Sequence, residues 1–346
     1  MEHPEVNTPL KQAWVRFALY DFNAIRLQRE FNRLLWLMLV LGALGTALAL
    51  VQTQLKLFAQ PPNPQRLTRW IDFLHYPIVF IPVATSVLLA VANRFKPGKK
   101  WVILRGSAEA IKREIFSYRI GANIYSDLQV KQGTKESVLA KQIEDINHQL
   151  MQTEVNSIGL RPYTGPIPPK MVSTSTTDDG LTPLSPDQYV TARIIDQLNY
   201  YEIKTNKLEK RLRFTQWTIF ILGGVGTLLA ALGVELWVAL TTTLMGMMAT
   251  YIGLHNVENT LVQYNRTATD LFNIRNWWMA LSDAERAEQS KIDNLVLYTE
   301  KILEGELVGW VQHMQDALAE LRHPQKATDS THVIHFECPP RVANKD

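Results

Sequence analysis

Four stretches of this chain carry no Lys, Arg, Asp or Glu over the length that a lipid bilayer demands. Residues 34–55 and 236–257 cover 22 positions each, and residues 73–93 and 214–234 cover 21 each. A helix that crosses the hydrocarbon core needs roughly 20 apolar residues. These segments are apolar all round, whereas the helices of soluble proteins bury a single stripe. The last two stretches adjoin, with one carboxylate, Glu235, between them. Two spans joined by a tight hairpin put that charge at the membrane surface, where it costs little. Composition hides all of this: 346 residues, 46% apolar and a net charge of +3 would suit an ordinary two-domain soluble protein.

The basic residues give the expected orientation. Lys11, Arg16, Arg26, Arg29 and Arg33 precede the first span. Arg94, Lys96, Lys99, Lys100, Arg105, Lys112 and Arg113 follow the second. Arg193, Lys204, Lys207, Lys210, Arg211 and Arg213 lead into the third. The loop between the first two spans holds only Lys56, Arg66 and Arg69, and the second hairpin tip holds none. The positive-inside rule then expects a multi-pass protein of the plasma (inner) membrane, with both termini and the central segment cytoplasmic and the hairpin tips outside. The first 33 residues are too long and too polar for a cleaved signal peptide and are expected to stay in the mature chain. The single cysteine, Cys338, falls on the cytoplasmic side and implies no disulfide framework.

An internal repeat organises the chain. At a shift of 181 residues Trp36 falls on Trp217, Leu41 on Leu222, Gly42 on Gly223, Gly45 on Gly226 and Thr46 on Thr227. Tyr20 falls on Tyr201 and Leu27 on Leu208 in the same register. Two tandem copies of one module follow, each a long cytoplasmic helix, two spans and a further cytoplasmic helix, pointing the same way. The expected division is a first module over 1–154 (spans about 34–54 and 74–93) and a flexible Pro/Ser/Thr-rich linker over 155–185. A second module follows over 186–322 (spans about 215–234 and 236–256), then a tail over 323–346. The fold class is all-α. Helix starts are signalled by Ser185-Pro186 with Gln188, and by Ser282 with Glu285. After the latter, Ile292, Leu295, Val296, Leu303, Leu307, Trp310, Met314, Leu318 and Leu321 form a helical stripe, with Leu139, Ile143, Ile146 and Leu150 as a weaker counterpart in the first copy.

Candidate functional residues lie in and beside the spans. Gly42, Gly45, Gly223 and Gly226 are the helix-packing candidates, since small residues let helices approach in lipid. Span four offers Thr242, Thr243, Gly246 and Thr250 as a pore lining, with Glu235 at the outer mouth and His255 and Asn256 at the inner exit. The structural readings are close packing for the small residues, a turn for Glu235 and a helix end for His255 and Asn256. Pro77 and Pro82 could kink span two. His332, His335 and Cys338 are weak metal candidates whose spacing fits no standard zinc pattern, and no metal or other cofactor is expected. The basic run 95–101 suits lipid headgroups, so nucleic acid is not an expected partner. No phosphate-binding, zinc-protease or serine-hydrolase motif occurs, and no enzyme activity is expected.

Trp101, Arg105, Ala108, Glu109 and Lys112, just after the first hairpin, spell W-x3-R-x2-AE-x2-K, and a looser version with Tyr264 in the Trp position follows the second. In this pattern the chain resembles the SLATT-related bacterial two-transmembrane domains, long a family of unknown function, here in two tandem copies without a recognisable fused sensor. The resemblance implies assembly into membrane pores and service as an effector in bacterial stress or defence systems. The expected function is a homo-oligomeric ion channel or pore, cation-conducting and gated by the cytoplasmic helices, whose partners are the lipid bilayer, its own copies and ions. The alternatives are a non-conducting membrane scaffold and a signal-triggered effector that perturbs the bilayer.

Overall fold

In the computed structural model the spans and the helices that follow them are nearly continuous rods. Residues 8–58, 64–127, 133–169 and 178–322 are described, with side chains except at 58, 64–68 and 306–322. The helices are α1 (Pro9–Phe58), α2 (Pro64–Phe95), α3 (Pro97–Ile120) and α4 (Lys135–Met151) in the first copy. The second copy has α5 (Pro186–Tyr189), α6 (Asp196–Ala231), α7 (Glu235–His255), α8 (Val257–Ala280), α9 (Asp283–Arg286) and α10 (Gln289–Arg322). A π-helical turn, Val190–Ile195, splices α5 onto α6. No strand occurs among the described residues. Four helical stretches are long and apolar enough to cross a membrane: Pro9–Leu57, Arg69–Ile120, Pro186–Ala231 and Glu235–Ala280. Their most apolar windows are only 6% to 11% buried within the chain. So much bare apolar surface is stable only in lipid or against further protein.

The repeat is repeated in detail. Thr46 Oγ1 donates to the Gly42 carbonyl, and Thr227 Oγ1 does the same to Gly223. Each second span ends at a non-glycine residue in the left-handed region: Lys96 (φ 46) ends α2 and Asn256 (φ 44) ends α7. Both are followed by a helix of 24 residues, α3 and α8. The second halves of the two copies are therefore related by a shift of 160, the separation of Lys96 and Asn256, and not by 181. The longer hairpin of the first copy absorbs the difference. A Cβ on Gly45 would meet the Ile81 methyl at 3.1 Å, and one on Gly226 would meet Thr241 Oγ1 at 2.7 Å. Ile81 and Thr241 are themselves 160 apart, so one close span-on-span contact occurs twice. This register puts Leu261, and not Tyr264, in the place of Trp101. Tyr264 instead packs its ring against Tyr201 at 5.3 Å.

The core of the helical body is built from the spans' extensions. Trp14, Tyr20, Leu104, Ile111, Ile115, Phe116, Tyr189 and Trp278 are fully or almost fully buried there. Both predicted capping boxes form, at Ser185 with Gln188 and at Ser282 with Glu285. The second starts only the short α9; Glu288 then accepts from Lys291 and Ile292 as α10 begins. Leu295 and Val296 of the predicted stripe are buried, as are Leu139, Ile143 and Leu150 of α4. α2 runs unbroken through Pro77 and Pro82.

Two expectations need correcting. The described parts of the 155–185 linker are packed and not free: Asn23 exchanges hydrogen bonds with the backbone of Arg161, Trp14 Nε1 donates to Gly180 O at 2.8 Å, and Leu184 N donates to Arg119 O at 2.8 Å. The basic run 95–101 is partly spent inside the protein. Lys96 and Lys99 both hold Glu154 Oε1, at 3.0 and 3.1 Å, and Lys100 is buried.

Candidate functional site

Glu235 opens α7, after a turn in which Gly233 takes a positive φ of 71°, and its side chain is exposed at the hairpin tip. Below it, one side of α7 packs on α6: Thr241 is buried against Gly226 and bonds Val238 O. The opposite side, Ala239, Thr242, Gly246, Thr250 and Gly253, is uncovered in the single chain. Gly246 and Gly253 have nothing within 4 Å of where a Cβ would stand. Thr242 and Thr243 donate to the carbonyls of Val238 and Ala239 at 2.9 and 2.8 Å. That commits the hydroxyl proton to the helix and leaves both oxygen lone pairs as acceptors, a surface suited to a cation or to water. Of the packing candidates, Gly45 and Gly226 make the close approaches, Gly223 makes ordinary contact with Met245, and Gly42 has open space beside it.

At the other end of α7, His255 stacks on the Tyr251 ring with centroids 4.3 Å apart, while the Arg211 guanidinium covers Tyr251 at 5.1 Å. Tyr251 also meets Trp36 of the first copy at 5.2 Å. Asn256 is the left-handed break itself, with its Oδ1 accepting from Asn259 at 2.7 Å. The structure thus gives His255 and Asn256 definite packing and backbone roles, set apart from the uncovered face of α7. His332, His335 and Cys338 lie outside the described residues. Among the described residues no group of three His, Cys, Asp or Glu could hold a metal ion.

A second constellation, not foreseen from sequence, is the seam where α3 of the first copy meets α5, α6 and α10 of the second. Arg193 and Glu300 form a bidentate pair there, with contacts of 2.9 and 2.6 Å and side chains 2% and 5% exposed. Tyr189 donates its hydroxyl to Glu300 at 3.0 Å, and Arg193 lies over the Phe116 ring at 5.0 Å. Arg119 grips Asp178 and donates to Thr182 O at 3.0 Å. Arg105 bridges Asp21 and Glu109. Burial would raise the Glu109 carboxyl, but Arg105, Lys112 and Arg193 pull it down to about 2. Burial pushes the Lys112 ammonium below its usual value, despite Glu109 and Asp196 nearby. Burial also disfavours the Arg193 charge, and Glu300 more than offsets it, so the guanidinium stays protonated. Beyond this network Arg113 pairs with Glu304 at 2.9 Å, and Asp293 of α10 accepts from the backbone N–H of Asn123 at 2.7 Å. The signal was present as spacing: Tyr189, Arg193, Asp196 and Tyr200 recur as one helical face, and Arg105, Lys112 and Arg119 recur every seventh residue.

Fold and site together define an all-helical membrane protein made of two two-span modules joined by a buried ionic seam. Comparison with known families places it more closely. Residues 189–310 match the SMODS and SLOG-associating 2TM effector domain 1, SLATT_1, and residues 17–132 match a family described as a protein of unknown function, DUF4231. The second half of the chain is thus similar to a SLATT domain, and the first half matches a family with a different description. No curated protein and no solved structure matches it.

Proposed function

We propose that the chain assembles with its own copies into a cation-conducting membrane pore that acts as an effector. The carrying observation is the uncovered face of α7, where small residues and acceptor hydroxyls run in line below Glu235 while the opposite face is used for packing. A charge ring at the mouth would concentrate cations, and Thr242, Gly246 and Thr250 would line the path. The distribution of Lys and Arg supports tips outside and the helical body in the cytoplasm of a bacterial inner membrane. The breaks at Lys96 and Asn256 join each second span to the body, so a rearrangement there would reach α7 first. The 2TM effector description of the second half supports an effector role.

Purified protein in liposomes tests this. A potassium gradient is expected to drive flux, and Glu235→Gln is expected to lower the preference for cations over chloride. Absence of flux under every ion gradient and voltage would overturn the reading.

A further inference from the structure

The two copies use equivalent helix faces unequally. In the first copy the α3 face of Arg105, Glu109, Lys112, Phe116 and Arg119 is covered: Tyr189 and Arg193 of the second copy lie on Phe116, Asp178 and Thr182 of the linker hold Arg119, and Arg105 pairs with Asp21 of α1. The shift of 160 carries that face to Asn265, Thr269, Phe272, Asn276 and Met279 on α8, all exposed. Phe272 and Met279 are 49% and 56% exposed, and Val262 on the same side is 67% exposed. The shift of 181 carries the covering face of Tyr189, Arg193, Asp196 and Tyr200 to Thr8, Gln12, Val15 and Leu19 on α1. Thr8, Gln12 and Val15 are exposed, Val15 to 45%. One chain therefore contains a made seam and, at its two ends, the two unused halves of another. Neither unused half carries a charge at these positions.

We infer that these halves meet between chains: α8 of one copy docks on α1 of the next, head to tail, with Phe272 and Val15 in the places that Lys112 and Asp196 hold inside the chain. Apolar residues in place of two charged ones fit the free faces, because burying Phe272 and Val15 removes apolar surface from water. A charged seam left open in the single chain would have no such drive. Repeating one contact head to tail gives a ring if the rotation closes, and every ring of this chain holds an even number of modules. Trp36 packs on Tyr251 within the chain, and its counterpart Trp217 is 66% exposed, which continues the same relation into the spans. The inference rests on the homo-oligomeric part of the proposed function and not on conduction. A ring that assembles without passing ions leaves it standing.

The test uses full-length chains in membranes with Cys338→Ser as background. Two differently tagged copies are co-expressed, one with Val15→Cys and one with Phe272→Cys, and treated with a short bis-maleimide. Cross-linking between the two tags is expected, with little between two copies of the same variant. Predominant same-site cross-links, which mark a two-fold dimer, or a lack of any cross-link would overturn the proposal. A charge exchange supplies the second arm, read as oligomer size by native mass spectrometry. Val15→Asp alone and Phe272→Lys alone each bury an unpaired charge and are expected to reduce the oligomer by about tenfold or more. Together they set opposite charges face to face across the proposed contact and are expected to restore it. Intact oligomers in the single variants, or no rescue in the double, would overturn the pairing of these faces.

Discussion

α3 and α8 have the same length, begin at the same left-handed break and descend from the same half of one repeat, yet one side of α3 is an ionic network and the same side of α8 is neutral and bare. The contrast separates two kinds of interface by when they form. The α3 seam closes within one chain, where its partner is always present, so buried charges can be matched one to one. A contact between chains must form by encounter, and apolar side chains exposed in the meantime cost less than unmatched buried charges.

The largest effect should come from breaking the closed seam. Arg193→Ala strands Glu300 in the interior and should cost about 3–5 kcal/mol of stability, measured by thermal unfolding in detergent. Replacing both partners by methionine should cost much less, since no charge is then left unpaired. The counterpart of Arg193 in the first copy is the exposed Gln12, and Gln12→Ala should stay within about 0.5 kcal/mol. Equal losses at 193 and 12 would erase the distinction between the two copies.

The span contact sharpens the likeness. Gly226→Ala drives a methyl against Thr241, which can move only by leaving its bond to Val238; a loss of about 1–3 kcal/mol is expected. Gly45→Ala should act in the same direction. Gly224→Ala, with nothing within 4 Å, should lose nothing. A pH titration compared between the native chain and a Glu109 variant addresses the seam. The folded Glu109 carboxyl titrates at about 2 against 4.5 for the free side chain. Its charge therefore stabilises the fold fully above pH 4.5, and that contribution is lost as pH falls toward 2. Glu109→Gln should flatten this part of the acid limb. At the break, Asn256→Ala should cost about 1–2 kcal/mol for a left-handed alanine, and Asn256→Gly only a few tenths.

Legibility in the sequence followed the physics of each feature. Spans are legible because hydrocarbon tolerates no charge, so 34–55 and its three companions stand out without any partner being known. Caps at Ser185 and Ser282 are legible because the hydrogen bonds lie within four residues. Glu235 was placed at a hairpin tip for the same reason, since spans of bilayer length leave it nowhere else. The seam was not legible. Arg193 meets Glu300 across 107 residues and Phe116 across the two copies, and a charge on an amphipathic helix reads as solvated unless its partner is known. The shift of 160 was hidden as well, because the longer first hairpin breaks the register that the glycines set. The linker's composition suggested freedom, while backbone groups of Arg161 and Gly180 satisfy the buried polar groups of Asn23 and Trp14.

The most direct test of two like-oriented hairpins is cysteine labelling in intact cells, in a Cys338→Ser background with Lys56→Cys, Glu235→Cys or Asn156→Cys. A membrane-impermeant maleimide is expected to label 56 and 235 from outside, and 156 only after the membrane is opened. Labelling of 56 and 235 from opposite sides would contradict the tandem arrangement, and with it the seam and the head-to-tail contact.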